Sequence, residues 1–168
     1  MLKLNNTGIK ILKIIHLFGA CCWLGGACAL LTINLGSHKA TSASMLYGIN
    51  YASHLVDLWI VVTFGVYVCL LTGFIYGFFT SWGFFKFKWL TCKWLITCLC
   101  FTSGWVFLGS WETAMMEMAK NLTDLNNPQY NLIRDRHFYL SLLQISLLAF
   151  MVIISVIKPW KKRREITD

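Results

Sequence analysis

The sequence has few charged residues and few prolines. Only 13% of its 168 residues are charged, seven are Asp or Glu, and two are proline. A soluble globular domain usually has about 25% charged residues. In contrast, 57% of this chain is hydrophobic and its mean hydropathy is +0.61. The composition therefore excludes an ordinary soluble protein and indicates an integral membrane protein.

Paired cysteine motifs are also absent. The chain has seven cysteines, but none form the CxxC pair that zinc binding or thiol exchange uses. All seven fall within apolar stretches, and the predicted outer loops contain none, so nothing indicates an exported disulfide framework. We expect most of these cysteines to be small apolar packing residues.

Four apolar stretches are long enough to cross a bilayer, which takes about 20 residues of helix. They cover residues 9–35, 54–79, 87–110 and 137–157. The first stretch is longer than the apolar region of a secretory signal, so we expect it to be a retained helix. The sequence predicts an all-α fold, a four-helix transmembrane bundle that forms a single integral membrane domain over residues 1–168.

The basic residues predict how this bundle is oriented. Three groups precede helix 1, connect helices 2 and 3, and follow helix 4: Lys3, Lys10 and Lys13; Lys86 and Lys88; and Lys158, Lys161, Lys162, Arg163 and Arg164. The positive-inside rule predicts that both termini are cytoplasmic. We expect the membrane to be a bacterial cytoplasmic (inner) membrane. The net charge of +8 is then a signal of topology. We expect the lipid bilayer as partner, and no nucleic acid.

Two ionisable residues, His16 and Lys93, lie inside predicted spans. A charge at the bilayer centre costs at least ~2.5–3.5 kcal/mol, so such residues are usually functional. Counted at 1.5 Å per residue, they lie about 10 Å and about 9 Å inside the cytoplasmic boundary. We therefore predict that they form two sides of one site at matching depth.

Each member of this pair also has a simpler interpretation. The ammonium of Lys93 could extend to nearby headgroups along its flexible stem. However, Thr97, Cys100 and Gly104 follow it at helical spacing and form a small, weakly polar face. We predict that this face of helix 3, with Lys93, is oriented toward the bundle interior. His16 could be a hydrogen-bonded core residue, or a haem or metal ligand, proton relay or substrate contact.

A second pair, His54 and His137, is predicted to open helices 2 and 4 near the outer interface. Two histidines from different helices are the usual axial ligands of haem b in a bundle. The alternative is that both are loop-end histidines in water. Asp57 follows one turn after His54, and His38 is expected to be solvated.

The segment WETAMMEMAK offers a copper hypothesis. Its methionines Met115, Met116 and Met118 could capture Cu(I) near the outer histidines, because thioethers suit that ion. Packing on an amphipathic extension of helix 3 is the alternative, with a helix stop at the breaker Asn126, Asn127 and Pro128. Glu112 and Glu117 in this segment are expected to be solvated.

Three segments resemble the HemJ-type protoporphyrinogen oxidases, a family of small bacterial membrane proteins related to CopD-like copper-resistance domains. ILKIIHLFGACCWLGG resembles the first helix of the family, WLTCKWLITCLCF its third helix, and VIKPWKK its C-terminal ending. After WLGG, ACALLTINLG stands where the family has its L-P-R-L helix end. Thr102, Ser103 and Gly104 replace the Tyr-His expected later in helix 3, so the chain resembles a divergent member.

The resemblance implies a haem b-binding redox protein that oxidises protoporphyrinogen IX and passes electrons to the respiratory chain. It implies a haem-ligating or catalytic role for His16 and an essential role for Lys93, in holding a substrate propionate or in proton transfer. Haem b is the expected cofactor, with His16, His54 and His137 as candidate metal ligands. Two alternatives remain open: a non-enzymatic copper-handling or transport protein, and an accessory subunit of a larger membrane complex. A homo-oligomer is also compatible with the sequence.

Overall fold

Four long helices make up the protein in the computed structural model, which describes residues 4–80, 83–121 and 124–159. They are α1 (Asn6–Ser37), α2 (Ala43–Phe79), α3 (Lys88–Lys120) and α4 (Pro128–Ile157), and each is long and apolar enough to cross a membrane. No β-strand occurs within these described ranges. The prediction of an all-α fold with four transmembrane helices is therefore confirmed.

Two helices begin much earlier than the predicted boundaries at 54 and 137. The Ser42 side chain caps α2 by accepting a hydrogen bond from the Met45 backbone N–H. Asn127 caps α4 in the same way, and Pro128 fills its first turn. Such caps satisfy the free N–H groups of a first helical turn, so polar segments that a hydropathy criterion excludes are helical here. The prediction that His54 and His137 open their helices is wrong.

Helix α3 also extends beyond its predicted end at residue 110. It continues through WETAMMEMAK to Lys120 and stops before Asn127, as the helix-permissive sequence predicted. Two segments inside the long helices have the wider π-helical turn: Asp57–Tyr67 in α2 and Gly104–Leu108 in α3. Turns of this kind occur often at functional sites.

Glycines bring α1 and α2 into close contact. A Cβ atom at Gly65 would lie 2.8 Å from both Cα and N of Trp23, so no larger residue fits there. Gly19 and Gly26 of α1 meet Val68 and Val61 of α2 at similarly short range. Small residues allow this approach where no hydrophobic effect drives helices together. A Cβ atom at Gly25, in contrast, would meet nothing within 4 Å.

The antiparallel order brings the start of α1 and the end of α2 to the same end of the bundle. There, Leu4 N donates a 3.1 Å hydrogen bond to Phe79 O. We call this the termini end, and the opposite end, with the α1–α2 and α3–α4 connections, the far end. Lys3 and residues 161–164 lie outside the described residues.

The main core lies between the four helices around Trp23, which is 3% exposed. It includes Val61 and Cys69 of α2, Cys100 of α3 and Leu148 of α4. A smaller cluster at the far end joins Leu46, Met115, Ala119 and Tyr130. Many large apolar side chains, such as Leu95 and Val156, point outward and are exposed. This arrangement fits a surface that faces lipid.

Candidate functional site

A large cavity of about 670 Å³ lies among all four helices, in the half of the bundle toward the far end. This volume is within the usual range for small-molecule and cofactor sites. Its wall contains both π-helical segments and a concentration of polar side chains. The polar and aromatic wall residues include Trp23, His54, Asp57, Tyr67, Phe101, Trp105, Glu112, His137, Ser141 and Gln144. We call this space the large cavity.

The histidines predicted at the outer interface both line the large cavity. His54 lies eleven residues into α2 and is half-buried, and its Nδ1 atom is buried without a hydrogen-bond partner among the described residues. His137 lies nine residues into α4 and is 3% exposed. The alternative that both are loop-end histidines in water is therefore wrong for His137 and does not describe His54.

Two polar neighbours orient the His137 ring. Its Nδ1 atom lies 3.5 Å from Ser141 Oγ and 3.5 Å from Asn34 Nδ2. The Ser141 hydroxyl can accept a hydrogen bond from Nδ1–H or donate one to an unprotonated Nδ1, since a hydroxyl does both. Asn34 Nδ2 can only donate, so Nδ1 accepts in that contact and Nε2 then carries the ring proton. In the other tautomer Nδ1 donates to Ser141 Oγ, and the Nε2 atom of His137 carries the free lone pair.

A pair of carboxyl groups forms the second polar feature of the large cavity. Ser53 Oγ donates a 2.6 Å hydrogen bond to Glu112 Oε1, and the Asp57 carboxyl group lies close enough to Glu112 to interact with it. A hydrogen bond between the two carboxyl groups would require a proton on one of them, because an ionised carboxylate only accepts. Glu112 is 2% exposed, so the prediction that it is solvated is wrong. Glu117 is exposed, as predicted.

The sequence contains a signal for the burial of Glu112, in the helical spacing of the α3 face. Lys93, Thr97, Cys100 and Gly104 mark the interior face of α3, and two further steps of four residues along that face reach Glu112. Cys100 is 1% exposed and Gly104 lines the large cavity, so the predicted orientation of this face holds.

Two other polar side chains meet the large cavity from α1 and α4. Gln144 Nε2 donates a 2.9 Å hydrogen bond to the backbone oxygen of Cys100. Trp23 lines the cavity, and its indole Nε1–H is buried with no acceptor among the described residues. A buried donor without an acceptor is rare in proteins and often marks a place where a water or ligand binds.

The other predicted pair, His16 and Lys93, comes together nearer the termini end. The Lys93 ammonium lies within electrostatic range of both His16 and Cys69. His16 Nδ1 is 2.7 Å from Thr72 Oγ1, and its ring meets that of Tyr76 edge-on at 6.1 Å. Both residues are half-buried, and neither lines the large cavity. The two residues predicted to lie at matching depth are thus within electrostatic range of each other, and their role as one site stays a prediction.

The methionines and the remaining histidine do not join this site. Met115 is 4% exposed within the smaller core cluster, and Met118 packs against that cluster. His38 is exposed, as expected. Among the described residues, no three His, Cys, Asp or Glu side chains are grouped closely enough to hold a metal ion.

Comparison with known proteins gives the chain a family. No curated protein and no solved structure matches it. Neither comparison relates the chain to the HemJ-type or CopD-like proteins, so that resemblance stays a prediction. A family model described as "Predicted integral membrane protein (DUF2269)" matches residues 10–159, and the chain therefore belongs to this family of membrane proteins.

Proposed function

We propose that this membrane protein is a redox protein that binds haem b in the large cavity, with His54 and His137 as the ligands. One observation carries the proposal: two histidines from different helices, α2 and α4, line the same cavity of about 670 Å³. Axial ligation by histidines on separate helices is how bundles commonly hold this group.

The donor set of the large cavity fits a haem better than a bare metal ion. A metal ion held by protein alone needs three or four grouped ligands. A porphyrin supplies four nitrogens itself, so one or two histidines complete the coordination. The Ser141 partner of His137 Nδ1 matches the usual arrangement, in which the second ring nitrogen of a ligating histidine is held by a hydrogen bond. The Nδ1 atom of His54 has no hydrogen-bond partner among the described residues, so it is available as a ligand atom.

The other wall residues would set the environment of the bound group. Trp23, Val61 and Leu30 would exclude water from it, and the Trp23 indole could donate a hydrogen bond to an oxygen of the ligand. The Asp57–Glu112 pair would hold a proton close by. Haem would supply reversible one-electron transfer, whose potential depends on the polarity and burial of these neighbours.

An absorption spectrum tests the proposal directly. Protein purified in mild detergent from haem-supplied cells is expected to show a b-type Soret band and a pyridine haemochrome. His54→Ala and His137→Ala should each lose or shift the band. His38→Ala is the matched control, because His38 is exposed outside the cavity. Colourless wild-type protein, or an unchanged spectrum in both cavity variants, would overturn the proposal.

The proximity of His16 and Lys93 supports a second function, oxidation of protoporphyrinogen IX with electrons passed to the respiratory chain. A half-buried ammonium could pair with a substrate propionate, and His16 could accept a proton. Expression in cells without protoporphyrinogen oxidase tests it. The wild type should restore growth, Lys93→Met and His16→Ala should not, and Lys88→Met should, because Lys88 is exposed at the start of α3. If the wild type does not restore growth, this second function is contradicted, whereas the haem proposal is not.

A further inference from the structure

A second and smaller pocket of about 300 Å³ lies at the far end, between the end of α1 and the start of α4. Its polar wall residues are Ser37, His38, Asn126, Asn131 and Arg134. Among the described residues no Asp or Glu lines this space, so the Arg134 guanidinium, whose Nε lies 3.7 Å from the exposed Asp135 carboxylate, gives the wall of the pocket a positive charge. We call it the small pocket, and nothing in the haem proposal uses it.

Arg134 is held in an unusual state for a surface arginine. Its side chain is only 13% exposed, and its Nε–H is buried without a hydrogen-bond partner among the described residues. The nearest carboxylate oxygen, Asp135 Oδ1, is 3.7 Å from Nε, which is too long for a hydrogen bond, and the Asp135 side chain is 58% exposed. A mostly buried guanidinium, whose Nε–H has no hydrogen-bond partner among the described residues, therefore lines the small pocket.

The backbone and ring contacts of Arg134 keep the guanidinium in place. Its guanidinium carbon lies 5.9 Å from the ring centre of Tyr130, which is itself 1% exposed. Its backbone oxygen accepts a 3.5 Å hydrogen bond from Asn34 Nδ2 of α1. A fixed guanidinium loses little side-chain entropy on binding, and its planar donors match the oxygens of phosphate.

The position of the small pocket places it near lipid headgroups. Helix α1 has 32 residues and is therefore about 48 Å long. The hydrocarbon core of a bilayer is only about 30 Å thick, and about 40–45 Å with its headgroups. The end of α1, where Ser37 and His38 line the pocket, thus reaches the headgroup level.

We propose that the small pocket binds a phosphate group through Arg134, with Asn131 as a further hydrogen-bonding side chain. Two sources share this chemistry: the headgroup of an anionic phospholipid and free phosphate in the surrounding water. The headgroup is the source that the depth of the pocket favours. The proposal is independent of haem, and its test does not require a coloured protein.

Binding can be measured on the full chain in a phosphate-free detergent. One arm titrates inorganic phosphate, and the other titrates phosphatidylglycerol against a phosphate-free glycolipid with the same acyl chains. In each arm the unfolding temperature of the protein is measured, and in the lipid arm native mass spectrometry also shows whether the lipid remains bound. We expect phosphatidylglycerol to stabilise and remain bound. A response to inorganic phosphate alone would still support the pocket and assign it to the free anion.

Matched variants tie the response to this pocket. Arg134→Gln should weaken phosphate-group binding about tenfold, which corresponds to the loss of one charged hydrogen bond. Arg136→Gln should leave it unchanged, because Arg136 is exposed on the same helix and does not line the pocket. If Arg134→Gln does not fold, Arg134→Lys and Asn131→Ala replace it, and each should weaken binding. No response to either probe, equal losses in Arg134→Gln and Arg136→Gln, or unchanged binding in both replacement variants would overturn the proposal.

Discussion

Ser53 Oγ donates a 2.6 Å hydrogen bond to Oε1 of Glu112, and it thereby joins α2 to α3 beside the large cavity. Glu112 is 2% exposed, which makes it one of the most deeply buried side chains described. A buried carboxyl group is tolerated only when hydrogen bonds replace its lost water. Ser53 of α2 supplies one such hydrogen bond, and the Asp57 carboxyl group of the same helix lies close to Glu112.

Ser53→Ala should destabilise the protein by about 1–3 kcal/mol, because it leaves a buried acceptor with one partner fewer. Thermal or denaturant unfolding in detergent measures this change. Ser146→Ala is the control: Ser146 is exposed and donates only to the Leu142 backbone oxygen of its own helix. Equal stability losses in the two variants would show that the Ser53–Glu112 hydrogen bond does not link the helices.

The presence of four spans and the matching depths of His16 and Lys93 could be predicted from the sequence. Both depend on one quantity, the 1.5 Å rise of a helix. Counting residues from the apolar boundaries gave His16 and Lys93 matching depths, and the helical spacing of Cys100 and Gly104 gave the direction of the α3 face. These inferences need no tertiary information. They agree with the positions of the four residues in the bundle.

The large cavity could not be predicted in the same way. The sequence places His137 at a helix boundary because the polar segment before it carries no hydropathy signal. Asn127 and Pro128 nevertheless make this segment helical. Glu112 lies beyond the apolar stretch, and its burial depends on Ser53 of another helix. The π-helical turns at Asp57 and Gly104 depend on tertiary packing, which local propensity does not encode.

Gly65→Ala should separate α1 from α2. The added Cβ would meet backbone atoms of Trp23 at 2.8 Å, and backbone cannot move aside as a side-chain tip can. Overpacking of this kind costs about 1–3 kcal/mol. We expect a lower unfolding temperature in detergent, together with a changed Trp23 fluorescence environment.

Gly25→Ala is the matched control for Gly65→Ala. Gly25 also lies in a transmembrane helix, but a Cβ there meets nothing within 4 Å. Alanine is a better helix former than glycine, so this variant should be neutral or gain up to about 1 kcal/mol. A loss of stability in Gly25→Ala as large as that in Gly65→Ala would contradict the close contact of Gly65 with Trp23.

Lys93→Met should stabilise the fold while removing any function of the ammonium. Lys93 is half-buried inside a span, and no salt bridge to it occurs among the described residues. A lysine at the bilayer centre costs about 2.5–3.5 kcal/mol, and Lys93, about 9 Å inside the boundary, costs less than that. Methionine fills a similar volume without charge. The expected gain in unfolding free energy is about 1 kcal/mol or more, with Lys88→Met unchanged. A clear loss in Lys93→Met would show that the ammonium is instead held by structural partners.

The predicted cytoplasmic location of both termini can be tested with single introduced cysteines. Lys39 lies in the α1–α2 connection at the far end, whereas Lys86 precedes α3 at the termini end. A membrane-impermeant maleimide added to intact cells should label Lys39→Cys at once and Lys86→Cys only after permeabilisation. All seven native cysteines lie within the four helices, where the reagent has little access, so the wild type gives the background. The reverse labelling pattern would invert the topology and place the small pocket on the cytoplasmic side.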